Sequence, residues 1–332
     1  MGKGIIRLDS SIISSAAIVG KKEHDGPLGG YFDMYSEDDR FDCDTWESAE
    51  SELQRRTFGL AMNKVGCAEK DIGILFAGDL LNQCVGASYG LLDFDIPYMG
   101  IYGACSNAAE GMMLASVMTT YGIYKSAAVV TSSHFCSAER QYRTPLEYGS
   151  QRTPTAQRTV TGAGAFIIGR KGSVRITEGL PGIVREKGIS DAANMGAAMA
   201  PAALDTLVRY FSESGKKPND FDMILTGDLG REGSEILCDL ASAEGYDISK
   251  NYDDCGLMIY SSEPQDVHAG GSGCGCSASV IASYIIPKLE RGELERILFV
   301  GTGAMMSPSS LQQGLPIPAI AHLVCLSGGE EN

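Results

Sequence analysis

Short apolar runs alternate with longer amphipathic segments along the chain, and this alternation predicts an α/β protein. Two of the apolar runs, residues 71–78 and 220–227, are both followed by Asp-Leu, so that Gly-Asp-Leu occurs twice. Their length and their flanking residues are typical of buried strands. A helical pattern precedes each run, over residues 47–65 and 195–214, and a glycine lies at or just beyond the end of each pattern.

The order of the predicted elements is the same around both runs. Each run is followed by a small-residue turn, a helix, a strand and a closing apolar strand. In the first half these are residues 103–111, 108–121, 127–132 and 164–168, and in the second half they are residues 268–278, 277–289, 297–300 and 319–326. This parallel order predicts an internal duplication. We therefore predict two α/β halves, residues 1–175 and 176–332.

The alternation also predicts where the chemistry lies. Strands that alternate with helices imply parallel pairing with right-handed crossovers, and two such halves give a layered arrangement. In open α/β sheets, sites form at the carboxyl ends of the strands. The glycine-rich turns at Cys105 and Cys276 are therefore the candidate positions.

Cys105 and His268 are the first candidate functional residues. Asn107 and Glu110 have the spacing of a capping box, which puts Cys105 just before a helix N-terminus, where the thiolate is favoured. His268 stands in the glycine-rich turn of the second half. If a pseudo-twofold axis relates the halves, the two turns face each other and a cysteine–histidine pair shares one pocket. A structural cysteine and a structural histidine are the alternative interpretation.

Composition limits which kinds of partner the protein can bind and in which cellular compartment it is expected. The formal net charge of −15 at pH 7 argues against nucleic acid or an anionic bilayer as a direct partner. No segment approaches the roughly twenty apolar residues of a membrane span, and the first residues lack a signal-peptide pattern. Ten cysteines without an export signal indicate reduced thiols. We therefore expect a cytoplasmic protein.

Two patterns that would indicate a cofactor or a metal are incomplete. The glycines after His268 do not fit the G-x-G-x-x-G dinucleotide pattern. Cys274 and Cys276 lack the further ligands of a zinc site, which needs about four. We predict neither a cofactor nor a metal.

Several segments resemble the thiolase and 3-ketoacyl synthase superfamily. GACSNAAEG resembles its nucleophilic-cysteine turn, HAGGSGCG resembles its second-half Gly-His turn, and VTGAGAFIIG, MGAAMAPAALDTL and FVGTGAMM resemble three further segments in the same order. Within it, VHAGGSGCGCSA, GACSNAAEGM and the overall length resemble the stage V sporulation protein AD family. The resemblance implies a thiolase-like fold, in which two pseudo-symmetric halves form five αβαβα layers, and a homodimer formed through the first halves.

The resemblance also implies a function and partners. That family is associated with binding dipicolinic acid (pyridine-2,6-dicarboxylic acid) and with its delivery into the developing spore. The expected partners are dipicolinic acid or its calcium chelate, and membrane proteins of the same sporulation operon. A cytoplasmic protein that associates peripherally with the forespore or spore inner membrane is the expected location.

Asp228 is the main departure from the enzymes of the superfamily. Condensing enzymes support the cysteine with two polar partners, and His268 matches one of them, whereas Asp228 stands where the other is a His or Asn. A carboxylate there repels a developing oxyanion and raises the pKa of the cysteine. We therefore interpret Cys105, His268 and Asp228 as remnant catalytic positions. An acyl-thioester condensing or thiolytic enzyme, a scaffold for a membrane complex, and a capping role for Asp228 remain the alternatives.

Arginines concentrate between residues 140 and 158, in a segment that is predicted to be a long loop. Arginine forks match carboxylates, and tyrosines such as Tyr142 and Tyr148 can stack on a pyridine ring. Solvated surface arginines are the alternative interpretation. The predicted ligand-binding set comprises Cys105, Ser106, Tyr142, Arg143, Arg152, Asp228, His268 and Gly303.

Overall fold

The structure is a computed structural model that describes residues 4–142 and 152–328. The strands of these residues are β1 (Ile6–Gly20), β2 (Met34–Ser36), β3 (Leu75–Gly78), β4 (Tyr98–Gly100), β5 (Ala127–Ser133), β6 (Arg158–Thr159), β7 (Gly162–Gly169), β8 (Val174–Leu180), β9 (Met223–Thr226), β10 (Tyr252–Asp254), β11 (Gly271–Ser272), β12 (Arg296–Ala304) and β13 (Ala319–Gly328). The α-helices are α1 (Lys21–His24), α2 (Trp46–Lys64), α3 (Val85–Gly90), α4 (Asn107–Thr120), α5 (Phe135–Tyr142), α6 (Met195–Ser214), α7 (Gly230–Ala243), α8 (Cys255–Met258), α9 (Cys274–Val280), α10 (Ile286–Glu290) and α11 (Pro308–Gln312).

Two sets of five strands have the same spatial order, which confirms the predicted pseudo-symmetric halves. The first set runs β1-β7-β5-β3-β4 and the second runs β8-β13-β12-β9-β10. In the first set β7 lies antiparallel to both β1 and β5. In the second set β13 lies antiparallel to both β8 and β12. The remaining neighbours are parallel. Antiparallel pairing of β1 with β8 joins the two sets. The predicted division at residue 175 falls within β8 and stays a prediction.

The helices cover both sets of strands and also fill the space between them. Helix α2 packs on the outer face of the first set, whereas α6 packs on the outer face of the second set and carries α7. Helix α4 contacts strands of both sets, and α9 lies beside it against the first set. The predicted order of five αβαβα layers is therefore present.

The predicted parallel pairing does not hold for the strands that close each half. Strands β7 and β13 run antiparallel to both of their neighbours. A closing strand that re-enters its sheet from the end at which the previous strand left must run antiparallel to that strand. Described residues of the segments before β7 and β13 line the cavity described below.

Local sequence signals account for the principal helices. Thr45 and Ser48 form a capping box at the start of α2, and Asn194 caps α6, which ends at the left-handed residue Gly215. The apolar segment after Cys274 forms the buried α9, which continues through a π-helical stretch, Ile281–Ile285, into α10. None of the helices in the described ranges has both the length and the apolar character needed to cross a membrane.

Candidate functional site

A cavity of about 720 Å³ opens at the carboxyl ends of several strands and is lined by both halves of the chain. The first half contributes Tyr102 and Cys105, and the second contributes Ser272, Met305 and Leu311. Pockets of roughly 300–1,000 Å³ are the usual size for small-molecule sites. The cavity is therefore large enough for a small organic ligand, and Cys105 lies in its wall.

Cys105 lies in a tight turn that leads directly into α4. Ala104, the residue before it, has a left-handed φ of 54°, which is strained for a residue with a side chain. The Gly103 N–H donates to Asn107 Oδ1 at 2.6 Å, and Ser106 Oγ donates to the Gly103 carbonyl at 2.6 Å. Asn107 therefore fixes the turn, and the predicted capping box with Glu110 is absent from α4. The predicted position of Cys105, just before the helix, is correct.

Asp228 and Ser272 face Cys105 from the second half. The Cys105 Sγ lies 3.8 Å from Ser272 Oγ, which donates to Asp228 Oδ2 at 2.9 Å. The Gly273 N–H donates to the same oxygen at 3.0 Å, and Thr302 Oγ1 donates to Asp228 Oδ1 at 2.7 Å. Ser272 thereby links the thiol to the Asp228 carboxyl. A fully buried carboxylate with several donors thus lies beside the sulfur.

Burial controls the protonation of both groups. Burial raises the pKa of Asp228 to about 6, although hydrogen bonds from Cys105, Gly273, Thr302 and Ser272 oppose this shift. Burial also raises the pKa of Cys105 well above its usual value, and the negative charge of Asp228 raises it further. Desolvation and the charge of Asp228 therefore oppose the partial positive charge of the α4 N-terminus and favour the neutral thiol.

The predicted pocket shared by Cys105 and His268 does not form. His268 is not among the residues that line the cavity. Its Nε2 lies 3.2 Å from Oδ1 of Asp266, a side chain that is 86% exposed. Three residues separate His268 from Ser272, whose Oγ lies 3.8 Å from the Cys105 Sγ. Ser272 therefore occupies the place that was predicted for the histidine.

Three other predicted ligand-binding residues support the site in different ways. Tyr142 lines the cavity, and its hydroxyl donates to the Leu80 carbonyl. Ser106 does not line the cavity, since its hydroxyl is bonded within the Cys105 turn. A Cβ on Gly303 would come within 2.5 Å of the Gly103 carbonyl oxygen, so the glycine allows β12 to approach this turn. Ser106 and Gly303 therefore shape the turn.

The described members of the predicted arginine cluster, Arg140, Arg152 and Arg158, do not line the cavity. Arg143 and Tyr148 lie outside the described residues. Arg152 donates to the Gln157 carbonyl and lies over the Phe135 ring. Arg140 lies 3.5 Å from Glu47 at the surface.

Comparison with known proteins identifies the family. The stage V sporulation protein AD (SpoVAD) family matches residues 4–327. A relative described as stage V sporulation protein AD, from Bacillus subtilis (strain 168), is 44% identical over 310 residues, which are 93% of this chain and 91% of the relative. The chain belongs to the stage V sporulation protein AD family.

Solved structures show which fold this SpoVAD-family chain adopts. A crystal structure of a variant of OleA from Xanthomonas campestris superposes with a TM-score of 0.60 at 16% identity, covering 96% of this chain and 98% of that one. The 3-oxoacyl-[acyl-carrier-protein] synthase III of Aquifex aeolicus VF5 gives a TM-score of 0.56 at 12% identity, covering 96% and 99%. These likenesses confirm the thiolase-like fold of the SpoVAD-family chain.

Sequence reasoning missed several residues of this SpoVAD-family site. Ser272 and Thr302 each stand between glycines, and that pattern is the only local signal that they lie at a close approach of backbone segments. Gln157 lines the cavity while its side-chain amide donates to the carbonyls of Asp228 and Gly271. Its polar, loop-like surroundings in the sequence give no such indication.

Proposed function

We propose that this SpoVAD-family protein binds dipicolinic acid, as its calcium chelate, in the cavity beside Cys105. Delivery to membrane proteins of the same sporulation operon is part of the same proposal. The observation that carries it is the buried Asp228 carboxyl, which Ser272 links to Cys105. A carboxylate that suppresses the thiolate at the wall of a full-sized cavity favours binding over acyl transfer. The family supplies the identity of the ligand.

The charges around the cavity support the chelate rather than the free dianion. Among the described lining residues, Glu139 is the one charged side chain, and lysine and arginine are absent. Asp228 adds a second carboxyl behind Ser272. A dianion that leaves water without a cationic partner loses its solvation energy, whereas a calcium chelate carries its own neutralising charge. Tyr102 and Tyr142 add aromatic rings to the wall.

Calorimetric titration tests this proposal. Dipicolinic acid, with and without equimolar calcium, is titrated into the wild type and into Ala193→Trp, which places an indole at the cavity wall. We expect saturable binding with calcium, at least tenfold weaker in Ala193→Trp. Ala243→Trp, at an exposed position that ends α7, is the matched control and should bind like the wild type. The absence of saturable binding in both conditions would contradict the proposal.

An acyl-thioester enzyme is the second candidate, because one observation favours it. Cys105 precedes α4, and the apolar side chains of Met195, Met305 and Leu311 line a wall that suits an acyl chain. Incubation with acyl-CoA followed by intact mass spectrometry distinguishes the two functions. The binding proposal predicts no acyl adduct. An acyl adduct that forms on the wild type but not on Cys105→Ser would show that acyl transfer, and not ligand binding, is the function.

A homodimer through the first half is part of the proposal. Strand β4 ends the path of paired strands, and its residues Tyr98–Gly100 are exposed. Met99 is 51% exposed, and an unpaired apolar strand edge favours pairing with another chain. We expect a dimer in sedimentation velocity and a shift toward monomer in Met99→Lys. A wild-type monomer at micromolar concentration would contradict this assembly.

A further inference from the structure

Glu50 is a buried carboxyl that lies behind the cavity wall. It belongs to α2 and is 1% exposed. Its Oε1 lies 3.2 Å from Ser132 Oγ in β5, and its Oε2 lies 2.6 Å from Ser137 Oγ in α5. Ser132 Oγ accepts from Gln54 Nε2 at 3.1 Å, and Ser137 Oγ lies 3.1 Å from the His134 carbonyl oxygen. A chain of hydrogen bonds therefore runs from α2 through Glu50 to the start of α5.

This chain of hydrogen bonds is complete only when Glu50 is neutral. A serine hydroxyl has one hydrogen to donate and can accept a hydrogen bond as well. A neutral Glu50 donates its proton to Ser137 Oγ, which then donates to the His134 carbonyl. When Glu50 is ionised, the single hydrogen of Ser137 faces two acceptors and satisfies one of them. The network therefore favours the neutral acid.

A second buried carboxyl beside Glu50 favours the same state. A Cβ on Gly86 would lie 3.2 Å from the carboxyl carbon of Asp79 and 3.4 Å from Glu50 Cγ, so the two side chains are neighbours. Asp79 has the donors that a carboxylate needs, because its two oxygens accept from the N–H groups of Leu81 and Ala87 at 2.8 and 2.7 Å. Burial and the negative charge of Asp79 raise the pKa of Glu50 above its usual value.

Both carboxyls support the same wall of the cavity. The lining includes three residues of α5 and two residues of the turn after Asp79, namely Ala138, Glu139, Tyr142, Leu80 and Asn82. Gln141 joins the two parts, since its Nε2 donates to the Leu80 carbonyl at 3.1 Å and its Oε1 accepts from the Asn82 N–H at 3.0 Å. Glu50 therefore holds the start of α5, whereas Asp79 holds the turn that binds its end.

The other titratable groups around the two carboxyls do not offset a charge on Glu50. They are Glu47 of α2, His134 and Arg140 at α5, Cys84 before α3, Tyr98 of β4 and Cys274 of α9. Arg140 lies 3.5 Å from Glu47, and its side chain is 62% exposed. Burial raises the pKa of the two thiols and of the tyrosine and lowers the pKa of the histidine, so these four groups are neutral near pH 7. An ionised Glu50 therefore meets mainly the charge of Asp79.

We propose that Glu50 is a proton-controlled switch for the cavity wall. Neutral Glu50 holds α5 in place through Ser137, whereas ionised Glu50 releases α5 and weakens the binding of a ligand in the cavity. The switch goes beyond the proposed function, and only the choice of calcium dipicolinate as the probe ligand rests on that function.

The direction of the switch follows from the protonation of Glu50. Burial and Asp79 raise its pKa from 4.5 to about 8, so the docked state of α5 binds this proton more tightly than a state in which Glu50 meets water. Docking of α5 therefore weakens as pH rises from about 4.5 to about 8.

Hydrogen–deuterium exchange of the ligand-free protein tests the switch by itself. Exchange is followed by mass spectrometry at pH 6.5 and 8.0, and the rates are corrected for the intrinsic pH dependence of amide exchange. We expect the amides of α5 to exchange at least about threefold faster at pH 8.0 in the wild type and equally at both pH values in Glu50→Gln, which stays neutral. Peptides of α6 are the internal control, and Glu244→Gln, at an exposed position after α7, is the matched variant that should behave like the wild type.

Calorimetric titration of calcium dipicolinate tests the coupling to the cavity. We expect binding to the wild type to be at least about threefold weaker at pH 8.0 than at pH 6.5, and binding to Glu50→Gln to be the same at both. Equal wild-type affinities at the two pH values would overturn the coupling. The absence of binding at both pH values would contradict the proposed function, whereas the exchange of α5 would still decide whether the switch exists.

A second variant guards against misfolding of Glu50→Gln. Ser137→Ala removes the hydroxyl that links Glu50 to α5, so the amides of α5 should exchange faster than in the wild type at pH 6.5 and lose their dependence on pH. The proposal is overturned if the corrected exchange of α5 in the wild type is the same at both pH values. It is also overturned if a folded Glu50→Gln or Ser137→Ala keeps the pH dependence of the wild type.

Discussion

At the scale of single residues, the two Gly-Asp-Leu sequences serve different purposes. Asp79 caps the chain after β3, since its carboxylate accepts from the N–H groups of Leu81 and Ala87 at 2.8 and 2.7 Å. In the second half Asp254 takes this capping role and accepts from the N–H groups of Leu229 and Gly230. Asp228 is thereby released to face Cys105. Asp228 therefore does not cap the turn that follows it, although its carboxylate accepts from the N–H of Gly273, the residue before α9.

Replacing Asp228 by Asn should make Cys105 more reactive. The substitution removes the negative charge that raises the pKa of the thiol, and each pKa unit changes the thiolate fraction by about tenfold. Burial remains, so we expect the alkylation rate of Cys105 by iodoacetamide at pH 8 to rise several-fold rather than to that of a free thiol. Peptide-resolved mass spectrometry measures this rate at Cys105 alone.

The control for this experiment is a thiol distant from Asp228. Cys67 is half-buried in the turn after α2, and it should react at the same rate in the wild type and in Asp228→Asn. An equal increase at both cysteines would indicate general loosening of the fold. An unchanged rate at Cys105 would show that the Asp228 charge does not control this thiol.

At the scale of elements, the crossing of α6 and α7 sets the position of Asp228. Helix α7 begins at Gly230, directly after the Asp228 turn. A Cβ on Gly233 would lie 2.8 Å from the Cα of Gly196 in α6, which is closer than packed atoms approach. The two glycines therefore allow the helices to touch through their backbones, and this contact holds the start of α7 beside the cavity.

Two glycine-to-alanine substitutions in helices should have opposite effects on stability. Gly233→Ala forces the α6–α7 crossing apart and should lower the free energy of unfolding by about 1–3 kcal/mol. Gly59→Ala, in α2 where an added Cβ meets nothing within 4 Å, should raise it by about 0.5–1 kcal/mol. Urea denaturation measures both values. A stabilising Gly233→Ala would contradict the backbone contact.

The sequence predicts elements well where the signal is local. The helices predicted over residues 47–65 and 195–214 are observed as α2 and α6, since periodicity and a terminal glycine are local properties. Strand β1 has no such pattern, because small buried side chains such as Ser10 and Ser11 stand where apolar residues would signal a strand. The sequence did not predict that Ser272, and not His268, faces Cys105. The path of this glycine-rich loop depends on packing between both halves, and no local sequence pattern contains that information.

At the scale of the whole molecule, buried carboxyls make stability depend on pH. Burial raises the pKa of each of five carboxyls above its usual value, to about 6 for Asp79 and Asp228, about 7 for Glu23 and Asp254, and about 8 for Glu50. The folded state therefore binds more protons than the unfolded state between about pH 4 and pH 8. Stability must fall as pH rises through this window.

Two buried histidines act in the opposite direction at lower pH, because burial lowers the pKa of His134 as well as that of His322. Burial lowers the pKa of His322 to about 4, so its contribution to stability is present above its ordinary value of 6.5 and is lost as pH falls toward 4. This loss partly offsets the carboxyl effect below pH 6. Above pH 6.5 these histidines become mostly neutral in both the folded and the unfolded state, so the carboxyls dominate the change in stability up to pH 8, and Glu50 titrates at the upper end of that range.

We therefore expect the protein to be more stable at pH 6.5 than at pH 8.0. One pKa unit corresponds to about 1.4 kcal/mol, and several carboxyls titrate in this range, so the free energy of unfolding should fall by at least about that amount. Urea denaturation at both pH values measures the difference. The measurement is repeated in about 0.5 M salt, which screens interactions between surface charges. The difference in stability that remains then comes from the buried groups. Glu50→Gln should reduce the difference in stability between the two pH values. A protein that is more stable at pH 8.0 would contradict this prediction, because ionising carboxyls inside this fold can only lower its stability.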